Sequence, residues 1–401
     1  MKNIRCLTVS MAAVMMMVTT PVYASTDVIT LLPYPAERSV DENTRVLTLE
    51  QAFELARRNN SSIDALNDSL RFIEQQRRSL AIDFDNAWRF GHGHLDFTAA
   101  NVTRTIRSID RTISSAPANV KMMETASQFL TFNLINAIRG IEVDLILLRE
   151  NIALQTVGLN HEELRNSLGV ASDSDVAAAR QDLQRSRANL RALEIGLNNQ
   201  RAALNHLLGL PSGTDVYIEH ELSLERGNIS ARVGNIHYYA DRQTAIDPSI
   251  VVLRRQLNDA QFNYDSTMPW RQNMPMPQGQ QPMVNIQANP TDRANMLNAL
   301  ENASRELRDA TSNMRENIRL TYNRLLQLEE QRETLLIDLR RARDIYDNAV
   351  VSLAAGMITE HEVNMARLGI LSAEADIIRN AISYENLLFA FDFPFLLDTV
   401  Q

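Results

Sequence analysis

Residues 169–176 read GVASDSDV, and residues 356–363 repeat the same pattern as GMITEHEV. In each copy a glycine is followed three residues later by Ser or Thr, six residues later by an acid, and then by valine. Glycine can adopt the left-handed conformation that ends a helix, and Ser or Thr with an acid three residues on forms a capping box at the start of the next. Each octet therefore predicts a tight turn between two helices. One such octet alone would favour an ordinary turn with no role beyond folding. The presence of two equivalent octets favours a surface that docks a partner.

The numbering of the two octets differs by 356 − 169 = 187, and other segments match at the same difference, which we call the repeat offset. Residues 61–70, SSIDALNDSL, correspond to residues 248–257, PSIVVLRRQL. Starting from the valine that ends each octet, an apolar or aromatic side chain recurs at every seventh position. The first series is Val176, Leu183, Leu190, Leu197 and Leu204, and the second is Val363, Ile370, Ile377, Tyr384 and Phe391. A constant offset predicts a duplicated unit, and a heptad sustained along a helix predicts a coiled-coil seam.

Proline is absent from residues 118–210 and from residues 291–393, where apolar periodicity is strongest. These windows predict four long helices, at about residues 120–168, 172–208, 299–355 and 359–391. The predicted fold class is mainly α, with two tandem antiparallel coiled-coil hairpins. Two such hairpins leave more surface than one thin core can cover, so we expect self-association.

The chain divides into six segments. Residues 1–24 carry Lys2 and Arg5, an apolar run and a small-residue site at Ala24, which predict a secretory signal peptide and export. The expected segments are an extended stretch at 25–46, a first helical repeat at 47–210, an inter-repeat platform at 211–238, a second helical repeat at 239–393 and a tail at 394–401. Within the platform, residues 216–222, VYIEHEL, predict a strand.

Composition excludes several function classes. The net charge of −9 becomes −11 (−9 − 2) without the two cations of the signal peptide, which disfavours nucleic acid and anionic lipid. The single cysteine, Cys6, lies within the predicted signal peptide, so disulfide and thiolate chemistry are not expected. No catalytic motif occurs, and we predict a protein that is not an enzyme and that uses no cofactor.

Three stretches together resemble the TolC family of outer-membrane efflux channels: LTLEQAFELARRNNSSI (47–63), the paired turn octets, and RAALNHLLGLP (201–211). The resemblance spans nearly the whole predicted mature chain. It implies a homotrimeric TolC-like α-barrel, in which each protomer contributes two helical hairpins to a tunnel across the periplasm. It also implies that a membrane-fusion adaptor and an inner-membrane pump dock at the hairpin turns.

Carried onto this sequence, the resemblance implies docking tips at Gly169, Val170, Ser172, Asp175 and Val176 and at Gly356, Met357, Thr359, Glu362 and Val363. It also places an acidic constriction at Glu362, with Asp175 as its counterpart in the first repeat. Three like charges in a ring would repel one another and attract cations. The alternative, that Glu362 only completes a capping box, is compatible with this role.

The sequence departs from the family pattern in two segments at the opposite end from the turns, about residues 83–118 and 266–298. Membrane strands should alternate apolar and polar side chains, and neither segment does. In the first, Ile106, Ile109 and Ile113 follow helical spacing, whereas proline, glutamine and methionine dominate the second. We therefore expect the membrane β-barrel strands to be missing or vestigial, with location in the periplasm, outer membrane or envelope left open.

The same two segments contain imidazoles and thioethers, which suit Cu(I): His92, His94, Met274, Met276 and Met283. Because the spacing is not diagnostic, adaptable apolar filling by methionine is the favoured interpretation, and no metal site is predicted. A second function remains open: an exported coiled-coil scaffold of the envelope that conducts nothing.

Overall fold

The computed structural model describes residues 44–90, 95–224, 227–265 and 290–397. Helices dominate these residues, as the sequence predicted. In chain order the elements are β1 (Arg45–Thr48), α1 (Leu49–Arg58), α2 (Ser61–Phe90), α3 (Leu95–Ser167), α4 (Asp173–Leu207), β2 (Val216–Glu219), α5 (Ile229–Val233), α6 (Ile236–Ile246), α7 (Pro248–Asp265), α8 (Pro290–Ala354), α9 (Glu360–Asp392) and a 3₁₀ turn (Pro394–Leu396).

The repeat offset reappears in the helix boundaries. The first residues of α1, α2 and α4 differ from those of α6, α7 and α9 by 187 in each case (236 − 49, 248 − 61 and 360 − 173). The last residues of α3 and α8 differ by the same amount (354 − 167). The structure therefore contains two copies of one four-helix unit, and the duplication predicted from the sequence is confirmed at the level of the fold.

Helix starts in the two copies use equivalent capping residues. Thr48 and Asn235 are related by the repeat offset (235 − 48) and cap α1 and α6 with their side-chain oxygens. Asn60 and Asp247 are related in the same way (247 − 60), and each accepts a hydrogen bond from the backbone N–H two residues on. Since Asn, Asp, Ser and Thr all satisfy free N–H groups at a helix start, the boundary survives the change of residue.

Helices α3 and α4 form one antiparallel hairpin, and α8 and α9 form the other. Helix α2 packs on α3, and α7 packs on α8. In addition, α7 and α9 both contact α3, which places the second repeat beside the first. The heptad residues line the hairpin seams: Val176, Leu183, Leu197 and Leu204 are buried on α4, and Val363, Ile377 and Phe391 on α9.

At the end of each hairpin away from its turn, equivalent positions pack together with different side chains. Ala52 and Leu204 share one buried cluster in the first repeat. Their counterparts, Tyr239 and Phe391 (239 − 52 and 391 − 204), stack with 4.9 Å between ring centroids. The aromatic pair is the larger of the two, and Phe391 belongs to a larger cluster of buried apolar side chains, with Ile318, Leu325 and Ile250.

The long helices begin earlier than the sequence predicted. Helix α3 starts at Leu95 and not near residue 120, so at about 1.5 Å per residue it is roughly 110 Å long. It continues through Pro117, which cannot donate a hydrogen bond to the carbonyl of Ile113. Arg255 of α7 donates to the neighbouring carbonyl of Ser114 and supports this part of the helix from outside. Tertiary contacts thus override the helix-breaking preference of proline.

Helix α8 likewise starts at Pro290, where proline is tolerated because the first turn needs no N–H partner. Of segment 83–118, residues 83–90 end α2 and residues 95–118 belong to α3, in agreement with the helical spacing of its isoleucines. Residues 266–289 of the second segment lie outside the described residues, as does the predicted signal peptide.

The platform strand is shorter than predicted. Residues 216–219 pair in parallel with residues 45–48, whereas residues 220–222 leave the sheet. The backbone carbonyl of His220 accepts a hydrogen bond from Arg139, and its Nε2 lies 3.1 Å from Glu385 Oε2. These contacts with α3 and α9 replace further strand pairing. Across the described residues, no helix combines the length and hydropathy needed to span a membrane.

Candidate docking site at the hairpin turns

The first turn closes as a Schellman motif. The N–H of Gly169 donates to the carbonyl of Asn166 at 2.9 Å, and the N–H of Val170 donates to the carbonyl of Arg165 at 2.8 Å. Gly169 has a φ of 73°, a left-handed conformation that disfavours a side chain. The predicted helix-ending role of this glycine is confirmed.

The second turn has the same hydrogen bonds at equivalent positions. Gly356, with a φ of 69°, donates to the carbonyl of Leu353 at 2.9 Å, and Met357 donates to the carbonyl of Ser352 at 2.9 Å. Two turns with the same backbone geometry therefore stand at the ends of the two hairpins.

Both capping boxes are formed. The Ser172 N–H donates to Asp175 at 3.0 Å, and the Asp175 N–H donates back to the Ser172 hydroxyl at 3.3 Å. At the second turn, the Thr359 N–H donates to Glu362 at 2.7 Å and the Glu362 N–H donates to the Thr359 hydroxyl at 3.3 Å. Each box satisfies two backbone donors at a helix start.

These hydrogen bonds hold the two carboxylates in their charged form. The backbone N–H of Ser172, followed by its hydroxyl, lowers the pKa of Asp175, and Thr359 lowers the pKa of Glu362 in the same way. Both side chains are exposed, and each stands at the positive end of a helix dipole. The tips thus present fixed negative charge.

Apolar side chains divide into an inner and an outer set at the turns. Val176 and Val363 are buried one residue after each capping acid and hold the turn against its hairpin. The outer set includes two exposed pairs, each related by the repeat offset: Val170 with Met357, and Leu164 with Val351. Val170 and Met357 are 66% and 77% exposed. We call these four exposed residues the tip patch.

The two turns lie at the same end of the molecule. The imidazole rings of His161, on α3, and His361, on α9, meet edge to face with 5.9 Å between their centroids. His161 precedes the first turn by two helical turns, and His361 follows the second turn directly. This contact joins the ends of the two hairpins, and sequence analysis missed it because no local pattern pairs residues on different repeats.

One feature distinguishes the first turn from the second. The Asn166 side chain donates to the carbonyl of Ala171 at 3.1 Å and to the Asp173 carboxylate at 2.9 Å, which ties the end of α3 to the start of α4. The equivalent residue of the second turn is Leu353 (353 − 166), whose side chain cannot donate. The first turn therefore carries a clamp that the second one lacks.

Charge pairs flank the first turn. Arg180 donates to Glu163 across the hairpin at 2.6 Å, and Arg165 lies 2.8 Å from Glu162 on the same helix. All four side chains are largely or partly exposed, so these pairs add little stability. Because each of these pairs is neutral overall, the net charge at the turns comes mainly from the acids in the first turns of α4 and α9: Asp173 and Asp175, and Glu360 and Glu362.

The candidate metal ligands of the sequence lie outside the described residues: His92, His94, Met274, Met276 and Met283. Within the part of the chain that the structure describes, no group of three His, Cys, Asp or Glu side chains could hold a metal ion. The site at the turns is a surface of apolar and acidic side chains.

Comparison with known proteins relates this geometry to membrane channels. No family model and no curated protein matches the chain. Solved structures do: a membrane protein from Pseudomonas aeruginosa is 12% identical with a TM-score of 0.63, covering 87% of this chain and 93% of that one. The outer-membrane protein VceC from Vibrio cholerae is 11% identical with a TM-score of 0.57, covering 87% and 95%.

The chain has the TolC-like fold. The open state of the MtrE outer-membrane channel of Neisseria gonorrhoeae supports the same assignment, at 14% identity and a TM-score of 0.54 over 86% of this chain and 88% of that one. These neighbours are membrane proteins and channels, not enzymes. In this TolC-like fold, the predicted tip residues fall at the two helix turns, whereas their function is not given by the fold alone.

Proposed function

We propose that this protein is the exit duct of a tripartite efflux or type I secretion system in the cell envelope, acting as a homotrimer. The observation that supports it most directly is that both hairpin turns lie at one end of the molecule, joined through His161 and His361. A duct that receives cargo from a partner needs all of its tips on the partner's side. The similarity to outer-membrane channels agrees with this arrangement.

The docking surface for the adaptor is the tip patch together with the two turns. Its apolar side chains project from a backbone held by Schellman motifs and capping boxes, so little ordering is needed when a partner binds. Exposed apolar groups surrounded by polar ones are typical of protein interaction sites. We expect a helical hairpin of a periplasmic adaptor to bind there, and an inner-membrane pump to align behind it.

Glu362 and Asp175 supply the charge at the end of the duct. A trimer would bring together the carboxylates of all three copies, each held ionised by its cap. Such a ring would attract cations, and the mutual repulsion of its three carboxylates would favour opening when a partner engages the tips. The capping role and the constriction role use the same side chain, since a capping carboxylate keeps free lone pairs on its outer side.

An exported scaffold is the second candidate, favoured by the buried heptad seams, which any coiled-coil protein would share. The two functions differ in closure, because a duct requires a closed ring and a scaffold does not. The mass of the purified mature protein decides between them. A trimer is expected for the duct, and a stable monomer or dimer would indicate the scaffold.

Docking is tested with a photo-crosslinking amino acid at Met357 or at Val170 in the native host. The matched control is Tyr238, which is 70% exposed on α6, away from the turns. The tip positions should crosslink an adaptor with a long helical hairpin, and Met357→Asp should abolish the product formed from Val170 without altering the trimer. Equal crosslinking from Tyr238, or an unchanged product in Met357→Asp, would refute docking at the tips.

A further inference from the structure

Within one chain, the second repeat packs against the first. Because the two repeats are equivalent, the same kind of contact can form between the second repeat of one chain and the first repeat of another. In one chain, α7 and α9 of the second repeat pack on α3 of the first. Shifting this arrangement by the repeat offset places α2 and α4 of another copy on α8. Within the described residues, α8 packs on α5, α6, α7, α9 and the 3₁₀ turn and makes no extensive contact with α2 or α4 of its own chain.

The clearest contact between the two repeats of one chain is a hydrogen bond between two asparagines, and its equivalent can form between two chains. Asn136 on α3 donates to Asn386 on α9 at 2.7 Å. The equivalent positions, Asn323 on α8 (136 + 187) and Asn199 on α4 (386 − 187), are also asparagines. Both are exposed in the single chain. Asparagine can both donate and accept, so a pair of asparagines can form the same hydrogen bond between two chains.

In a second contact, the small and the large side chain exchange places between the intrachain pair and the equivalent interchain pair. A Cβ atom on Gly158 of α3 would lie 3.8 Å from Cε1 of His361, an ordinary van der Waals contact, so position 158 faces the imidazole and a small residue fits beside it. The equivalents are Ile345 on α8 (158 + 187) and Ser174 on α4 (361 − 187). Here the large side chain is on α8 and the small one is on the incoming helix. Ile345 is 52% exposed in the single chain and would be covered by this contact.

A third contact is reproduced with a change of chemistry. Val143 on α3 and Ile378 on α9 share a buried apolar cluster. Their equivalents are Glu330 on α8 (143 + 187) and Arg191 on α4 (378 − 187), which carry opposite charges. An apolar pair within the chain thus corresponds to an ion pair between chains.

A fourth contact is not reproduced. Asp144 on α3 forms an ion pair with Arg379 on α9, and the equivalents are Gln331 on α8 (144 + 187) and Ala192 on α4 (379 − 187). These two side chains neither attract nor repel each other through charge. The loss of one exposed ion pair costs little, because such pairs contribute little to association or stability.

Helix α2 agrees with the same arrangement. On α7, Asp259 is buried between Arg107 and Arg111 of α3. The equivalent of Asp259 is Phe72 (259 − 187), which is 67% exposed on α2. The residues that would face Phe72 on α8 are Ala294 and Asn298 (107 + 187 and 111 + 187), which are smaller than the arginines. Covering an exposed phenylalanine would stabilise the contact through apolar burial.

From these equivalences we propose a head-to-tail interface between copies of this chain, in which α4 and α2 of one copy pack on α8 of the next. Asn199 hydrogen bonds to Asn323, Arg191 pairs with Glu330, and Ser174 accommodates Ile345. The interface uses two different surfaces and therefore forms either a closed ring or a filament. This interface rests on the proposed function, in which three copies of the chain form a closed ring, and it identifies the residues through which neighbouring copies bind each other.

Paired cysteines test the interface. Because Cys6 is the only cysteine and lies in the predicted signal peptide, the mature protein offers a cysteine-free background. Asn199→Cys with Asn323→Cys should give covalent species of two and three chains after mild oxidation or a short bis-maleimide. Asn136→Cys with Asn386→Cys is the matched control and should crosslink only within a chain. Each single-cysteine variant should yield no covalent species larger than two chains.

The outcomes separate the interface from the function. Covalent species that stop at three chains support the interface and the trimeric duct. A ladder beyond three chains supports the interface and overturns the closed ring. A trimer by mass without interchain crosslinks overturns this interface and leaves the duct standing, and a monomer overturns both.

Charge reversal gives an independent measurement. Arg191→Glu and Glu330→Arg should each weaken association by about tenfold, and the double variant should restore it, because the pair is then inverted. Arg185→Glu is a control, since Arg185 is an exposed residue on α4 that pairs with Asp182 within its own helix. Failure of the double variant to recover association would overturn the pairing of Arg191 with Glu330.

Discussion

Gly227 lies so close to Tyr384 that a Cβ atom on the glycine would overlap the tyrosine hydroxyl. That hydroxyl donates to Glu329 at 2.8 Å, and the same carboxylate oxygen accepts the N–H of Ile229 at 2.8 Å. The segment between the repeats is thereby held against α8 and α9, on the buried side of the second hairpin. Only a residue without a side chain can approach Tyr384 this closely.

Replacing Gly227 with alanine should therefore destabilise the protein by about 1–3 kcal/mol, as expected for an overpacked site. Gly213→Ala is the matched control, because nothing lies within 4 Å of a Cβ atom added at that position in the same inter-repeat segment. Urea unfolding of the two variants measures the difference. Equal midpoints would mean that the segment moves away from Tyr384 at no cost.

Alanine at either turn glycine should also be destabilising, for a conformational reason. Gly169 and Gly356 have left-handed φ values, and an L-residue in that region costs about 1–2 kcal/mol. Gly369→Ala, within α9 and with nothing within 4 Å of the added Cβ, should instead be neutral or stabilising. Thermal unfolding compares the three variants, and a Gly356→Ala variant as stable as Gly369→Ala would contradict the Schellman assignment.

Position 158 tests the contact that joins the two turns. Gly158→Ala should fit beside His361 and add about 0.5–1 kcal/mol of stability, because alanine favours the helix interior over glycine. Gly158→Leu should displace the imidazole and loosen the start of α9. Hydrogen exchange of the first turn of α9 reads out the difference. Slower exchange in the leucine variant than in the alanine variant would be inconsistent with the contact.

The capping boxes predict a dependence on pH. Asp175 and Glu362 have pKa values below their ordinary 3.8 and 4.5, so their contribution to folding is complete above those values and is lost as the pH falls through the lower, folded-state pKa. The opening of the two helix starts should therefore become more frequent at acid pH, and amide exchange at residues 172 and 359, whose N–H groups donate to these carboxylates, should show it once corrected for the intrinsic rate.

The matched variants separate charge from hydrogen bonding at the second turn. Glu362→Gln retains an acceptor for the Thr359 N–H and should remove the pH dependence of exchange at residue 359, whereas Glu362→Ala leaves that N–H without its acceptor, so residue 359 should exchange fast at every pH. Exchange in Glu362→Gln that still accelerates at acid pH would assign the effect to another group.

Much of the fold is readable from the sequence, for physical reasons that act locally. The left-handed glycines, the capping boxes at Ser172 and Thr359 and the heptad of α4 all depend on residues within a few turns of one another, and the structure forms each of them. The repeat offset is equally visible, since duplicated units keep the same pattern of caps. These features determine the two hairpins and the locations of the turns.

Other features depend on contacts between segments that are distant in sequence, so only the tertiary structure decided them. Helix α3 passes through Pro117 because long-range packing outweighs one missing hydrogen bond, and the strand of the platform stops at residue 219 because His220 contacts α3 and α9. The contact of His161 with His361 likewise joins two repeats that share no local pattern. Sequence periodicity describes one helix at a time, whereas the placement of one hairpin on another is decided by side chains that meet only after both have folded.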